Sequence, residues 1–119
     1  MPRIEVKQRA YLYALEIIKF IDSADKKDLS TQIIARQLLR SATSIGANIT
    51  EAQAGSTKKD FTNFFCYALK SANESIFWIN LLKDSNKINF DKIDQLLKET
   101  KEIANILGSS VLTLRKQKG

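Results

Sequence analysis

The chain has no histidine, one cysteine, one proline and four glycines among 119 residues. Without histidine it lacks the commonest general base and the commonest metal ligand. A single cysteine, Cys66, excludes an internal disulfide framework and every zinc site that needs two or more cysteines. A reducing, intracellular setting fits that usage. So few turn-forming residues, set against 44% hydrophobic content, argue against a many-turned β-sandwich or barrel and for long helices with short connections.

Long hydrophobic runs are missing too. The first nine residues interleave charges and contain no apolar h-region. The longest apolar stretch, around residues 76–82, is interrupted by Asn80 and falls well short of the roughly 20 residues that span a bilayer. The expectation is a cytoplasmic protein with no membrane attachment. A chain this long buries about two-thirds of its extended surface, so residues 1–119 make one domain that needs no metal, cofactor or disulfide.

The net charge is +6, from 19 basic and 13 acidic residues, and it is uneven. Residues 115–119 (Arg115, Lys116, Gln117, Lys118, Gly119) supply +3, half of the total, as a short basic C-terminal tail. Such charge suits polyanions such as RNA, DNA or an acidic protein surface; plain solubilising charge is the alternative.

Apolar spacing predicts four helices. The first covers about residues 4–21, with Ile4, Tyr11, Leu15, Ile18 and Ile21 as its stripe. A polar loop, residues 22–28, follows. The second begins near Ser30 or Thr31 and runs to about Ala54, with Ile34, Leu38, Ala42, Ile45, Ile49 and Ala52 facing inward. Gly55 is expected to end it in a left-handed cap. Thr57 followed by Asp60 resembles a capping box. The third helix runs to about Asp84 on Phe61, Phe65, Ala68, Ala72, Ile76 and Ile79. The fourth covers about residues 90–114 on Ile93, Leu97, Ile103, Leu107, Val111 and Leu114. Short connections make an antiparallel up-down-up-down four-helix bundle the economical all-α architecture. The first helix spreads Tyr11, Leu12, Tyr13 and Phe20 around its circumference, and the third does so with Phe64, Tyr67, Phe77, Trp78 and Leu81. Apolar surface wider than one stripe is normally buried on a second side, so subunit association through these helices is expected.

Three apparent motifs carry no chemistry. Gly55-Ser56-Thr57-Lys58 has P-loop letters in the wrong order and no preceding strand. Asp22, Asp25 and Asp28 are spaced by three with no bidentate Glu after them, unlike a calcium loop. Cys66, beside Phe64, Phe65 and Tyr67, reads as a buried inert thiol, and no histidine exists to activate it. No enzyme is expected.

Two polar lines remain. Gln37, Arg40, Ser44, Asn48 and Glu51 share one face of the second helix; Asp60, Asn63, Tyr67, Ser71 and Glu74 share one face of the third. With a hairpin centred near Gly55 and Ser56, facing positions sum to about 111 at one residue per residue of each helix. Arg40 then approaches Ser71, and Arg40 or Gln37 approaches Glu74. Arg40, Ser44, Asn48, Glu51, Ser71 and Glu74 read as a structural polar network, with Arg40–Glu74 as its ion pair. A polar functional cleft is the alternative. Lys58 and Lys59 occupy the first turn of the third helix, where the macrodipole opposes cations. An anion contact or solubility explains them.

The segment Gln37-Leu38-Leu39-Arg40-Ser41-Ala42-Thr43-Ser44-Ile45-Gly46-Ala47-Asn48-Ile49-Thr50-Glu51-Ala52 closely resembles the QLRRAAxSIxANIAEG signature of the 23S rRNA intervening-sequence proteins. Lys58-Lys59-Asp60-Phe61 and Ala68-Leu69-Lys70-Ser71-Ala72-Asn73-Glu74 resemble that family's SKKEF and ALGSxxE stretches. Leu39 stands where the family often has a second Arg. The resemblance implies a small helical protein that assembles as a ring-like homopentamer. Within the family it resembles, some members are encoded inside insertions in large-subunit rRNA genes. A related branch, the accessory variability determinant of diversity-generating retroelements, binds nucleic acid and a reverse transcriptase. Many members stand alone with no established activity. The expected function is therefore a non-enzymatic oligomeric nucleic-acid-binding or scaffolding module directed at RNA. Arg36, Lys58, Lys59, Arg115, Lys116 and Lys118 are the candidate phosphate contacts. A protein–protein adaptor, binding an enzyme such as a reverse transcriptase, is the alternative.

Overall fold

The computed structural model describes residues 5–55, 57–85 and 90–117. Four helices account for nearly all of them: α1 (Val6–Asp22), α2 (Leu29–Ala54), α3 (Lys58–Asp84) and α4 (Phe90–Lys116). There is no strand among the described residues. Ile4 and Lys118, assigned to the α1 stripe and to the phosphate contacts, lie outside them.

Side-chain caps set where α2 and α3 begin. The Asp28 carboxylate accepts from the Thr31 backbone N–H at 3.0 Å and from the Thr31 hydroxyl. The α2 cap is therefore Asp28, and the helix starts at Leu29, slightly before the expected Ser30 or Thr31. The Thr57 hydroxyl accepts from the Asp60 N–H at 3.0 Å, as half of the expected box. Each such cap stabilises its helix by about 1 kcal/mol. Gly55 departs from expectation. Its φ of −68° and ψ of 151° are extended, not left-handed. Two residues on, Thr57, which caps α3, is extended as well.

α1 and α3 each pack against both α2 and α4. Leu38, Ala42, Ile45, Ile49 and Ala52 of α2 are buried as expected, as are Phe65, Ala68, Ala72 and Ile79 of α3 and Ile93, Leu97, Ile103, Leu107 and Val111 of α4. Ile34, Phe61, Ile76 and Leu114 lie only partly buried at the margins. The stripe on α1 is different. Ala10, Tyr13, Ile17 and Phe20 are buried, while Tyr11, Leu15 and Ile18 are exposed. α1 carries apolar residues on most of its circumference, so spacing alone does not choose which arc turns inward.

Polar partners choose it. The Tyr13 hydroxyl lies 2.6 Å from that of Thr100 in α4, and Ser75 of α3 is close enough to act on its pKa. Ser75 in turn lies 2.8 Å from the Ser41 hydroxyl of α2. All four side chains are buried, so one hydroxyl pair ties α1 to α4 and another ties α2 to α3. At the rim, Arg9 makes a bidentate pair with Glu99 and a second pair with Glu102. These contacts, the Glu99 hydrogen bond most, hold the guanidinium above its usual pKa. Lys92 bonds Glu16 at 2.6 Å, lowering the pKa of that carboxyl, and Lys83 bonds Asp94 at 2.8 Å.

Candidate nucleic-acid interface

α4 continues to Lys116, two residues past the expected end. Arg115 and Lys116 thus belong to its last turn, where cations complement the helix dipole, and are not part of a free tail. Arg115 reaches across to α3 and donates to the Cys66 Sγ at 3.4 Å. The thiol is half-buried, not fully buried as the sequence suggested. Lys58 donates from α3 to the Gln117 carbonyl at 3.1 Å. These two contacts bring Lys58, Lys59, Arg115 and Lys116 together where α3 begins and α4 ends.

Arg36 is not with them. It is exposed on α2 one turn before Arg40, which meets Glu74 of α3. At about 1.5 Å per residue along the axis, Arg36 is about 30 Å from Lys58. The basic candidates therefore divide into one cluster and one outlier.

Sequence reasoning missed a contributor to the cluster. Neither residues 61–73 nor residues 103–117 contain an Asp or Glu. These are the stretches of α3 and α4 that meet near the basic end, and Lys70 is exposed within the first of them. The cations elsewhere that pair with carboxylates, Arg9, Lys19, Arg40, Lys83 and Lys92, have their charge locally offset. Counting carboxylate-free stretches, in addition to counting basic residues, would have located Lys70.

The polar network forms largely as expected, in a shifted register. Arg40 pairs with Glu74 and also donates to the Gln37 Oε1 at 3.2 Å. The Trp78 indole N–H donates to Glu74 at 3.0 Å. Ser71 donates to the Ser44 hydroxyl at 3.0 Å, and Asn48 to the Ser44 carbonyl at 2.9 Å. The pairs 40–74, 44–71 and 41–75 sum to 114, 115 and 116, about one turn beyond the expected 111. The loop midpoint does not determine which arcs of two helices face each other; helix phase and crossing do. Arg40 consequently meets Glu74 and not Ser71. Glu51 is exposed and takes no part in this network among the described residues. The ion pair is also a surface pair, with Arg40 60% exposed.

Apolar side chains remain uncovered on the outer faces. Tyr11, Leu12, Leu15 and Ile18 are exposed on α1, and Tyr67, Phe77 and Leu81 on α3. Tyr13 and Phe20, expected among the excess, belong to the core. Among the described residues no group of three or more Cys, Asp or Glu side chains is placed to hold a metal ion. No described helix is long and apolar enough to cross a membrane.

These features define an all-α protein of four helices with a charge-segregated surface. The chain belongs to the 23S rRNA-intervening sequence protein family, whose sequence model matches residues 3–109. A crystal structure of a protein of unknown function from the S23 ribosomal protein family of Bacteroides thetaiotaomicron VPI-5482 has the same fold. It is 34% identical over 90% of this chain and 98% of that one, with a TM-score of 0.80. No curated protein matches this chain.

Proposed function

We propose that this protein is a non-enzymatic, oligomeric nucleic-acid-binding or scaffolding module, directed at RNA and working in the cytoplasm. The observation that carries the reading is the clustering of Lys58, Lys59, Lys70, Arg115 and Lys116 around stretches of α3 and α4 that lack carboxylates. Phosphate neutralisation by such a cluster is sequence-tolerant and falls steeply with salt.

Residues 1–119 form one domain in this reading, with the helices in antiparallel up-down-up-down order. Contacts running in opposite senses support that order: Arg40 with Glu74 and Ser44 with Ser71, then Lys58 with Gln117 and Lys83 with Asp94. Subunits associate through the exposed faces of α1 and of the C-terminal half of α3. These lie on helices that are not direct neighbours in the bundle, which favours a head-to-tail contact and a closed ring; the family resemblance makes five the favoured number. A ring multiplies each basic cluster, raising affinity for a polyanion by avidity.

Gel mobility shift with a structured RNA at low salt, using micromolar protein, tests the reading. A shift that weakens with added salt is expected, and no shift would overturn it. The exposed apolar side chains support the second reading, an adaptor for an enzyme such as a reverse transcriptase. That reading requires stable co-purification with one protein and no salt-dependent retention of RNA.

A further inference from the structure

On the N-terminal half of α3, Lys59, Asn63, Tyr67 and Lys70 are all exposed. Their spacings of four, four and three residues put them on one face of the helix. The two lysines are separated by about 16 Å along the axis. Neither takes part in an ion pair among the described residues, and the intervening residues 61–69 carry no charge. Arg115 lies against Cys66, the chain neighbour of Tyr67, and so adds a third cation from α4. The carboxylates nearby are at the edge of the row: Asp60 in the first turn, and Glu51, which the register of α2 on α3 puts opposite Phe64.

Tyr67 is 48% exposed, and its ring is held at 86° to that of the half-buried Phe64, with centroids 5.9 Å apart. An edge-to-face contact of this kind fixes a ring while leaving it open to a further partner. A fixed, exposed aromatic ring between cations is the arrangement that takes an unpaired base on the ring and its flanking phosphates on the cations.

Resting on the nucleic-acid reading above, we infer that this row of α3 is a binding track for single-stranded RNA, with one base stacked on Tyr67 and the phosphates following Lys59, Lys70 and Arg115. A duplex does not fit this chemistry, because its bases already have both faces stacked and its recognition runs through backbone shape. A protein partner fits poorly as well. Lysines are depleted from buried protein interfaces, and burying Lys59 and Lys70 without carboxylates is costly. The exposed face of α1, with Tyr11, Leu15 and Ile18 in one row, carries no such cations between its apolar residues.

Fluorescence anisotropy of the full chain with labelled 20-mer oligouridylate and with a 20-base-pair RNA duplex, over a salt series, tests the inference. Binding of oligouridylate is expected to be tighter than binding of the duplex. Tyr67→Ala should weaken oligouridylate binding about tenfold or more and leave duplex binding unchanged, while Tyr67→Phe keeps near-native affinity. Lys70→Ala should lower the slope of log K against log salt by about 0.7. Unchanged oligouridylate affinity in Tyr67→Ala, or preference for the duplex, overturns the track while leaving RNA binding itself intact. Failure of both RNAs to bind overturns the broader reading as well. Light scattering on Tyr67→Ala completes the test: a smaller assembly would make Tyr67 a subunit contact and overturn the inference.

Discussion

The hydroxyls of Tyr13 and Thr100 meet 2.6 Å apart inside the bundle, tying α1 to α4 at a point where both residues are buried. Thr100 also bonds the Leu96 carbonyl at 2.6 Å, so removing the phenol leaves it partnered. Tyr13→Phe should therefore cost only about 1 kcal/mol, a fall of about 4 °C in melting temperature. A loss several times larger would mean that the hydroxyl is coupled to more of the core than its one bond to Thr100.

The same tyrosine makes stability depend on alkaline pH. Burial is the main cause that pushes its pKa from 10.0 up to about 12, against the opposing effects of the Thr100 and Ser75 hydroxyls. The unfolded chain releases this proton near pH 10 and the folded chain near pH 12. The contribution is thus fully present below pH 10 and is lost as pH rises toward 12, amounting to about 2–3 kcal/mol. Urea unfolding between pH 9 and 12 should show a fall in stability that is shallower in Tyr13→Phe. Parallel curves for the two proteins would refute the assignment.

Ser75→Ala and Arg40→Ala should rank in an order that charge alone would reverse. Ser75 links Ser41 and the Ser71 carbonyl in the interior, and its loss is expected to cost about 1–3 kcal/mol. Arg40 and Glu74 are solvent-screened, with 60% and 36% of their side chains exposed. Breaking that pair should cost less than about 1 kcal/mol. Thermal melts of both variants decide the matter, and a greater loss from Arg40→Ala contradicts it.

Gly108 is a helix-interior glycine with open space around it: an added Cβ would meet nothing within 4 Å. Gly108→Ala should stabilise the protein by about 0.5–1 kcal/mol by removing backbone freedom from the unfolded chain. At Gly46 the added Cβ would touch the Ala10 Cβ at 3.6 Å, an ordinary packing distance, so Gly46→Ala should also fold. A fall in melting temperature for Gly108→Ala would point to a neighbour at this position in the assembly.

Deleting residues 115–119 removes +3 per subunit and the contact of Arg115 with Cys66, but no buried side chain among the described residues. Helicity and oligomer size should persist. Binding of single-stranded RNA should weaken, with a salt slope smaller by about 2. Unchanged affinity across the salt series would show that these residues only solubilise the chain.

Helix number and length were legible in the sequence because polar loops and capping side chains are local features. Asp28 and Thr57 act on backbone groups three residues away, within the span that a linear reading covers. The stripes of α2 and α4 were legible for a related reason: their apolar residues occupy a narrow enough arc to leave one choice of face. α1 has no such restriction. Its inward arc is decided by Thr100, 87 residues away in the chain, and the α2–α3 register by how two cylinders cross.

The candidate site divides in the same way. Composition by itself determined that the chain is basic, that charge concentrates at its C-terminal end, and that no histidine-based chemistry is available. Only the tertiary structure decided that Lys58 and Arg115 share one end of the molecule while Arg36 stands apart, and that Lys70 and Tyr67 belong beside them. The physical reason is that helix formation depends on neighbours within a turn, whereas a surface patch is assembled from residues that packing brings together from distant parts of the chain.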